Sequence, residues 1–170
     1  FERDYGPQEA ADYLAGIKAE IVPLYKAVMA QEPYSAFEYV YMTEERLMDT
    51  VGAAAADIGG DAAEAFEFMR SHGLYDAAQS GSKASMSFTT YLDNYDAPFL
   101  FIDPYCDTED VTTLSHEFGH YLDAYVNYNA YESLDLSECF SQAMEYIMLD
   151  RCAMQDGDEQ AALRLIKLLD

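Results

Sequence analysis

Basic residues are scarce in this chain. Lys and Arg number 9 among 170 residues, against 32 Asp and Glu, for a formal net charge of −23. A surface this acidic repels phosphate backbones and anionic headgroups, which argues against nucleic acid and against membrane surfaces as partners. Apolar runs are short: none approaches the roughly 18 residues that span a bilayer. Cysteine is confined to Cys106, Cys139 and Cys152, too few and too dispersed for a disulfide framework. The odd count suits a reducing compartment, and neither a basic n-region nor an apolar signal core is seen, so a cytoplasmic location is expected. The first residue is Phe1 rather than Met, and the chain is expected to be a piece of a longer one.

What is present argues for a packed core. Hydrophobic residues make up 51% of the chain, with 15 Tyr and 9 Phe, enough apolar area to offset chain entropy. The length predicts a single domain over residues 1–170, with a helical N-terminal part at 1–75 and the remainder at 76–170.

Periodicity places the elements. Pro7 suits a first helical position, and Tyr13, Leu14, Ile17, Ile21, Leu24, Tyr25, Val28 and Met29 recur at three and four, predicting a helix over 7–31 that Pro23 kinks or splits and Pro33 ends. A second helix is predicted from Thr43 to Ile58. A third is predicted from a capping-box-like Asp61–Glu64 to about Gly73. Ser85–Leu92 and Pro98–Ile102 are rich in β-formers around the turn signals Asp93-Asn94 and Asp96, predicting an antiparallel pair. Carboxylates at Asp107–Asp110 suit the N-terminus of a helix reaching about Val126, where Asn127 and Asn129 break it. Another helix is predicted from Ser133–Asp135 to Cys152, then a turn at 156–158 and a short helix to Leu169. The chain reads as mainly α with a small antiparallel β element.

His116-Glu-Phe-Gly-His120 is an HExxH sequence inside a predicted helix. Histidines at i and i+4 project from one face and can share one metal ion, while Glu117 can take a proton from a water activated there. Imidazole plus carboxylate with an open position predicts one Zn²⁺. A match by chance in this composition is roughly a one-in-two-hundred event. The third ligand is expected to be a carboxylate, because the positions three and six residues after His120 are Asp123 and Val126, and His72 lies upstream. Asp123, Glu132, Asp135, Glu138, Glu145 and Asp150 are the candidates. Asp123 fits an acceptor for a ligand histidine's ring N–H better than a ligand. Glu138 and Glu145 share a face of the next helix. If helices lie side by side, Glu138 suits a first helix that ends soon after Asp123, and Glu145 a longer one. Spacing leaves the two open.

Several segments, in order, resemble the thimet oligopeptidase and oligoendopeptidase F group of zinc peptidases. They run from about Ala65 to Arg151: Phe66-Glu-Phe-Met-Arg70, Gly81-Ser-Lys-Ala-Ser-Met-Ser-Phe88, Pro98-Phe-Leu-Phe-Ile-Asp103, Thr113-Leu-Ser-His-Glu-Phe-Gly-His120 and Glu138-Cys-Phe-Ser-Gln-Ala-Met-Glu145. The resemblance implies a gluzincin-type metallopeptidase catalytic subdomain. His116, His120 and Glu138 match the zinc ligands, Glu117 the general base, and Glu145 a position of support behind the site or in helix packing. It also implies that the strand near Ser85–Thr90 pairs with an extended peptide, with Ser85, Met86, Ser87 and Phe88 as substrate-binding residues. The expected partners are a peptide substrate and the remainder of the chain itself.

Three departures from the family pattern stand out. The gap from His120 to Glu138 is short, Asp123 stands where the family often has His, and no Tyr sits in the family's downstream oxyanion motif. The nearby Tyr121, Tyr125, Tyr128, Tyr131 and Tyr146 read as core or surface aromatics. The expected function is zinc-dependent hydrolysis of oligopeptides. A zinc-binding but inactive region, or an acidic non-enzymatic binding module, is the alternative.

Overall fold

A computed structural model describes residues 6–29, 40–128 and 134–156. The ends predicted at 30–33, the turn at 157–158 and the helix to Leu169 lie outside the described residues. Helix α1 spans Pro7–Met29 with Pro23 inside it, so the proline does not split the helix. Its start is built as expected for Pro at the first position. Glu9 also reaches back, its carboxylate accepting the N–H of Gly6 at 2.8 Å.

Helix α2 spans Glu44–Ile58, capped by Thr43, whose hydroxyl oxygen accepts the N–H of Arg46 at 3.2 Å. Helix α3 spans Gly60–His72. The capping box expected at Asp61–Glu64 is absent: Gly59 precedes the helix without a side-chain cap, and the chain turns through positive φ at Gly59 and Gly60. Glycine allows that turn without the steric penalty a Cβ would bring, so the helix starts one residue early. Gly73 closes α3 in the left-handed conformation, its N–H directed at the carbonyls of Arg70 and Met69.

Three strands follow: β1 (Tyr75–Asp76), β2 (Phe88–Leu92) and β3 (Ala97–Phe101). The predicted β2–β3 pair is antiparallel, with Thr89 opposite Leu100 and Leu92 opposite Ala97. Two features differ from the expectation. The sheet is mixed, because β1 lies parallel to β3 with Tyr75 opposite Leu100, giving the order β1-β3-β2. Residues Ser85, Met86 and Ser87 precede β2 rather than belonging to it. The segment before β2 is pinned by Lys83, whose ammonium is buried. It donates to the Ile102 carbonyl at 2.9 Å, pairs with Asp76 at 2.7 Å and lies over the Phe101 ring. A buried ammonium needs such a set of partners, and they tie the segment before β2 to β1 and to the end of β3.

Helix α4 spans Glu109–Asn127 and α5 spans Leu134–Asp156. Asp107, before α4, accepts the N–H of Glu109 at 2.7 Å, and the buried Asp110, in the first turn, accepts the N–H groups of Tyr105 and Asp107 and so ties the preceding loop to the helix. Burial pushes the Asp110 carboxyl above its ordinary range, against those bonds. Tyr128, in the left-handed conformation, ends α4.

Helix α4 lies at the centre of the molecule. Val111, Leu114, Phe118 and Tyr121 are buried against Leu47, Met48 and Val51 of α2, Phe66 and Met69 of α3, Leu100 of β3, and Met148 and Leu149 of α5. Phe66 meets Phe118 edge-on at 5.2 Å. Helix α4 approaches α5 closely at Gly119, where a Cβ would stand 2.5 Å from the Ser141 Cα. Glycine between Glu117 and His120 is therefore a packing requirement. Among the described residues, no helix is long and apolar enough to cross a membrane.

Candidate metal centre

One turn of α4 presents both histidines to α5, with ring centroids 5.1 Å apart. From α5, Glu138 faces them. Its Oε2 lies 3.4 Å from Nε2 of His116 and its Oε1 lies 3.6 Å from Nε2 of His120. These three residues form the group of potential ligands among the described residues, with ligand atoms within 4.8 Å of one another. Donors sharing a tetrahedral zinc at about 2.1 Å bond lengths stand about 3.4 Å apart, so the spacing and the two-imidazole, one-carboxylate chemistry fit zinc.

Glu138 reaches this position although α4 runs on to Asn127. Helices lying side by side would tie Glu138 to a short first helix. The Gly119–Ser141 contact sets the register instead, and it leaves Glu138 one turn from the crossing. Asp150 is exposed, the side chain of Asp135 and all of Glu132 lie outside the described residues, and His72 sits at the end of α3 beside Phe68.

The backs of the two rings are also held. Nδ1 of His116 lies 2.9 Å from Oε2 of Glu145, a carboxylate that also accepts from Gln142 at 2.8 Å. That hydrogen bond raises the His116 pKa, against a downward pull from burial. Nδ1 of His120 lies 3.0 Å from Oγ of Ser137. Burial lowers the His120 pKa, against the charge of Glu138. Asp123 does not occupy the place expected for it: its carboxylate accepts from Asn127 at 2.7 Å, one turn along α4.

Glu117 is 7% exposed, next to the ring of His116. Burial pushes its carboxyl above the ordinary range, opposed by His116 and by the hydroxyl of Thr89. Thr89 comes from β2, and its Oγ1 lies 2.9 Å from the Glu117 carbonyl and 3.2 Å from its Oε2.

The histidines, Glu117 and Glu138 open onto a cavity of about 560 Å³ whose far wall is β2 and the start of its turn, from Ser87 to Tyr91 with Asp93. Of the residues expected to bind substrate, Ser87 and Phe88 line this cavity and Ser85 and Met86 do not. Tyr91 lines it, with its hydroxyl donating to Asp96 at 2.7 Å and its pKa pushed up to about 12 by that bond. Tyr121, Tyr125, Tyr128 and Tyr146 do not line it, and Tyr131 lies outside the described residues. Ser137 and Thr89 were not foreseen. A serine directly before a candidate ligand was the one available signal for the first, and nothing local marked the second.

No family model matches the sequence, and no curated protein matches it. Solved structures do match in fold. A PZ peptidase A with an inhibitor shares 20% identity at a TM-score of 0.77, over 99% of this chain and 35% of that one. A proposed oligoendopeptidase F from Bacillus anthracis strain Ames gives 20% identity and a TM-score of 0.77, over 99% and 36%. A further proposed oligoendopeptidase F gives 21% identity and a TM-score of 0.76, over 98% and 34%. The chain thus has a fold similar to that of these peptidases, mainly helical with a small mixed sheet, and spans about a third of the length of the structures it matches.

Proposed function

We propose that this chain carries the metal-holding part of a zinc-dependent endopeptidase acting on oligopeptides. The observation that carries the reading is the convergence of His116, His120 and Glu138 beside a buried carboxylate, Glu117, in a cavity bordered by an edge strand. The likeness in fold to solved peptidases supports it.

His116, His120 and Glu138 would hold zinc. The ion would supply Lewis acidity, lowering the pKa of a water and polarising a peptide carbonyl. Glu117 accepts the proton of the attacking water. Burial raises its pKa in the metal-free chain, which makes the carboxylate a stronger base toward that proton, and the protonated carboxyl then stands beside the leaving amine. Thr89 holds the Glu117 carboxylate from the strand side. β2 ends the sheet, so an extended peptide can add to it by main-chain hydrogen bonds, entering past Ser87 and Phe88. Among the described residues no Lys or Arg lines the cavity, and Asp93 at its edge would disfavour acidic peptides.

Glu117→Gln tests the role of the base. The variant is expected to bind zinc as the parent does and to lose hydrolysis of a quenched peptide; full hydrolysis by it would overturn the assignment. A second reading, zinc binding without turnover, is favoured by the chain's span of about a third of the matched structures. Stoichiometric zinc with no turnover by the parent chain would support that reading.

A further inference from the structure

The two histidines are supported by different chemistry, and the support for His120 is unassigned. Both rings turn Nε2 toward Glu138, at 3.4 and 3.6 Å. A neutral imidazole that presents a lone pair at Nε2 carries its proton on Nδ1. When that N–H is out of water it needs an acceptor. His116 has the carboxylate of Glu145 at 2.9 Å. His120 is the more buried ring, with a side chain 13% exposed against 25% for His116. At its Nδ1 stands the Ser137 hydroxyl at 3.0 Å, itself 6% exposed. Asp123, three residues on in the same helix, is engaged with Asn127.

We infer that Ser137 is the positioning residue of His120: its hydroxyl oxygen accepts the Nδ1–H, fixes the tautomer that leaves Nε2 free toward Glu138, and locks the ring in that direction. The inference rests on the reading of His116, His120 and Glu138 as a metal site. It has a structural economy. Ser137 precedes Glu138 in α5, so one turn of one helix delivers both a ligand and the acceptor that orients another ligand. Glu145, two turns on, orients the remaining one. A neutral acceptor behind His120 avoids placing one more negative charge in an already acidic centre.

The test uses the full chain and two readouts, neither of them turnover. Long-range ¹H–¹⁵N NMR on the metal-free, histidine-labelled protein at about pH 8, where the imidazole is neutral, is expected to show His120 protonated on Nδ1. An Nε2-protonated His120 in the parent chain would overturn the proposal without any variant. In Ser137→Ala, His120 is expected to become a mixture of tautomers while His116 is unchanged. Zinc affinity, measured by competition with a chelator, is expected to fall on the order of 10- to 100-fold. Zinc affinity within twofold of the parent would overturn the proposal. His120→Ala separates the two readings. If it abolishes zinc binding while Ser137→Ala does not weaken it, only the role of Ser137 fails. If His120→Ala binds zinc like the parent, the metal site itself fails.

Discussion

His116 carries a carboxylate partner that sets how protons compete with a metal. Glu145 raises the His116 pKa above 6.5, and a metal takes the neutral ring. Zinc affinity is therefore expected to weaken as pH falls, beginning above pH 6.5. Glu145→Gln removes the charge, so the weakening should shift to lower pH, with affinity at about pH 8 reduced on the order of 10- to 100-fold by the lost orientation. Zinc titrations across this range check it, and an unmoved pH profile would contradict it. In the metal-free chain the sign follows from the same shift. The pair stabilises the fold below about pH 6.5, and its contribution is lost as pH rises through the raised His116 pKa. HExxH was legible because its geometry is local, two side chains one turn apart on one helix. The partners of those side chains were not. Whether Ser137 or Asp123 reaches His120, and whether Thr89 reaches Glu117, depends on where α5 and β2 approach α4.

Helix contacts decide the geometry of the centre. A methyl at Gly119 would meet backbone, the Ser141 Cα at 2.5 Å, which cannot swing aside as a side-chain end can. Gly119→Ala gains about 1 kcal/mol in helix propensity, yet overpacking of this kind costs about 1–3 kcal/mol. The variant is expected to be less stable in denaturant titrations and to bind zinc more weakly, because α5 must retreat with Glu138. A variant more stable than the parent with unchanged zinc affinity would show that the contact does not hold the centre. The helices were legible from apolar recurrence and caps, Thr43 and Gly73 among them, because those signals act within a turn or two. Strand β1 was not: two residues carry no alternation, and Tyr75–Asp76 becomes a strand through its pairing with Leu100 and Phe101. Ser85–Ser87 are β-prone in composition, but the buried anchor of Lys83 lies just before them and regular pairing begins at Phe88.

Across the whole molecule, a net charge of −23 on 170 residues acts as self-repulsion. Raising salt from about 10 mM to about 300 mM shortens the Debye length from about 30 Å to about 6 Å, so thermal stability is expected to rise with sodium chloride. A melting temperature that falls over that range would show that attractive pairs outweigh the repulsion. The acidic balance, readable from composition alone, also sharpens the metal-centre argument. An acidic surface binds cations loosely in many places, whereas the proposed site binds one through two imidazoles. The measurement that tests the account most directly is therefore zinc per chain, by native mass spectrometry after removal of loosely held ions. The account predicts one zinc in the parent and in Glu117→Gln, and none in the His116→Ala/His120→Ala double variant. No retained zinc in the parent, or the same zinc content in the double variant, would contradict it.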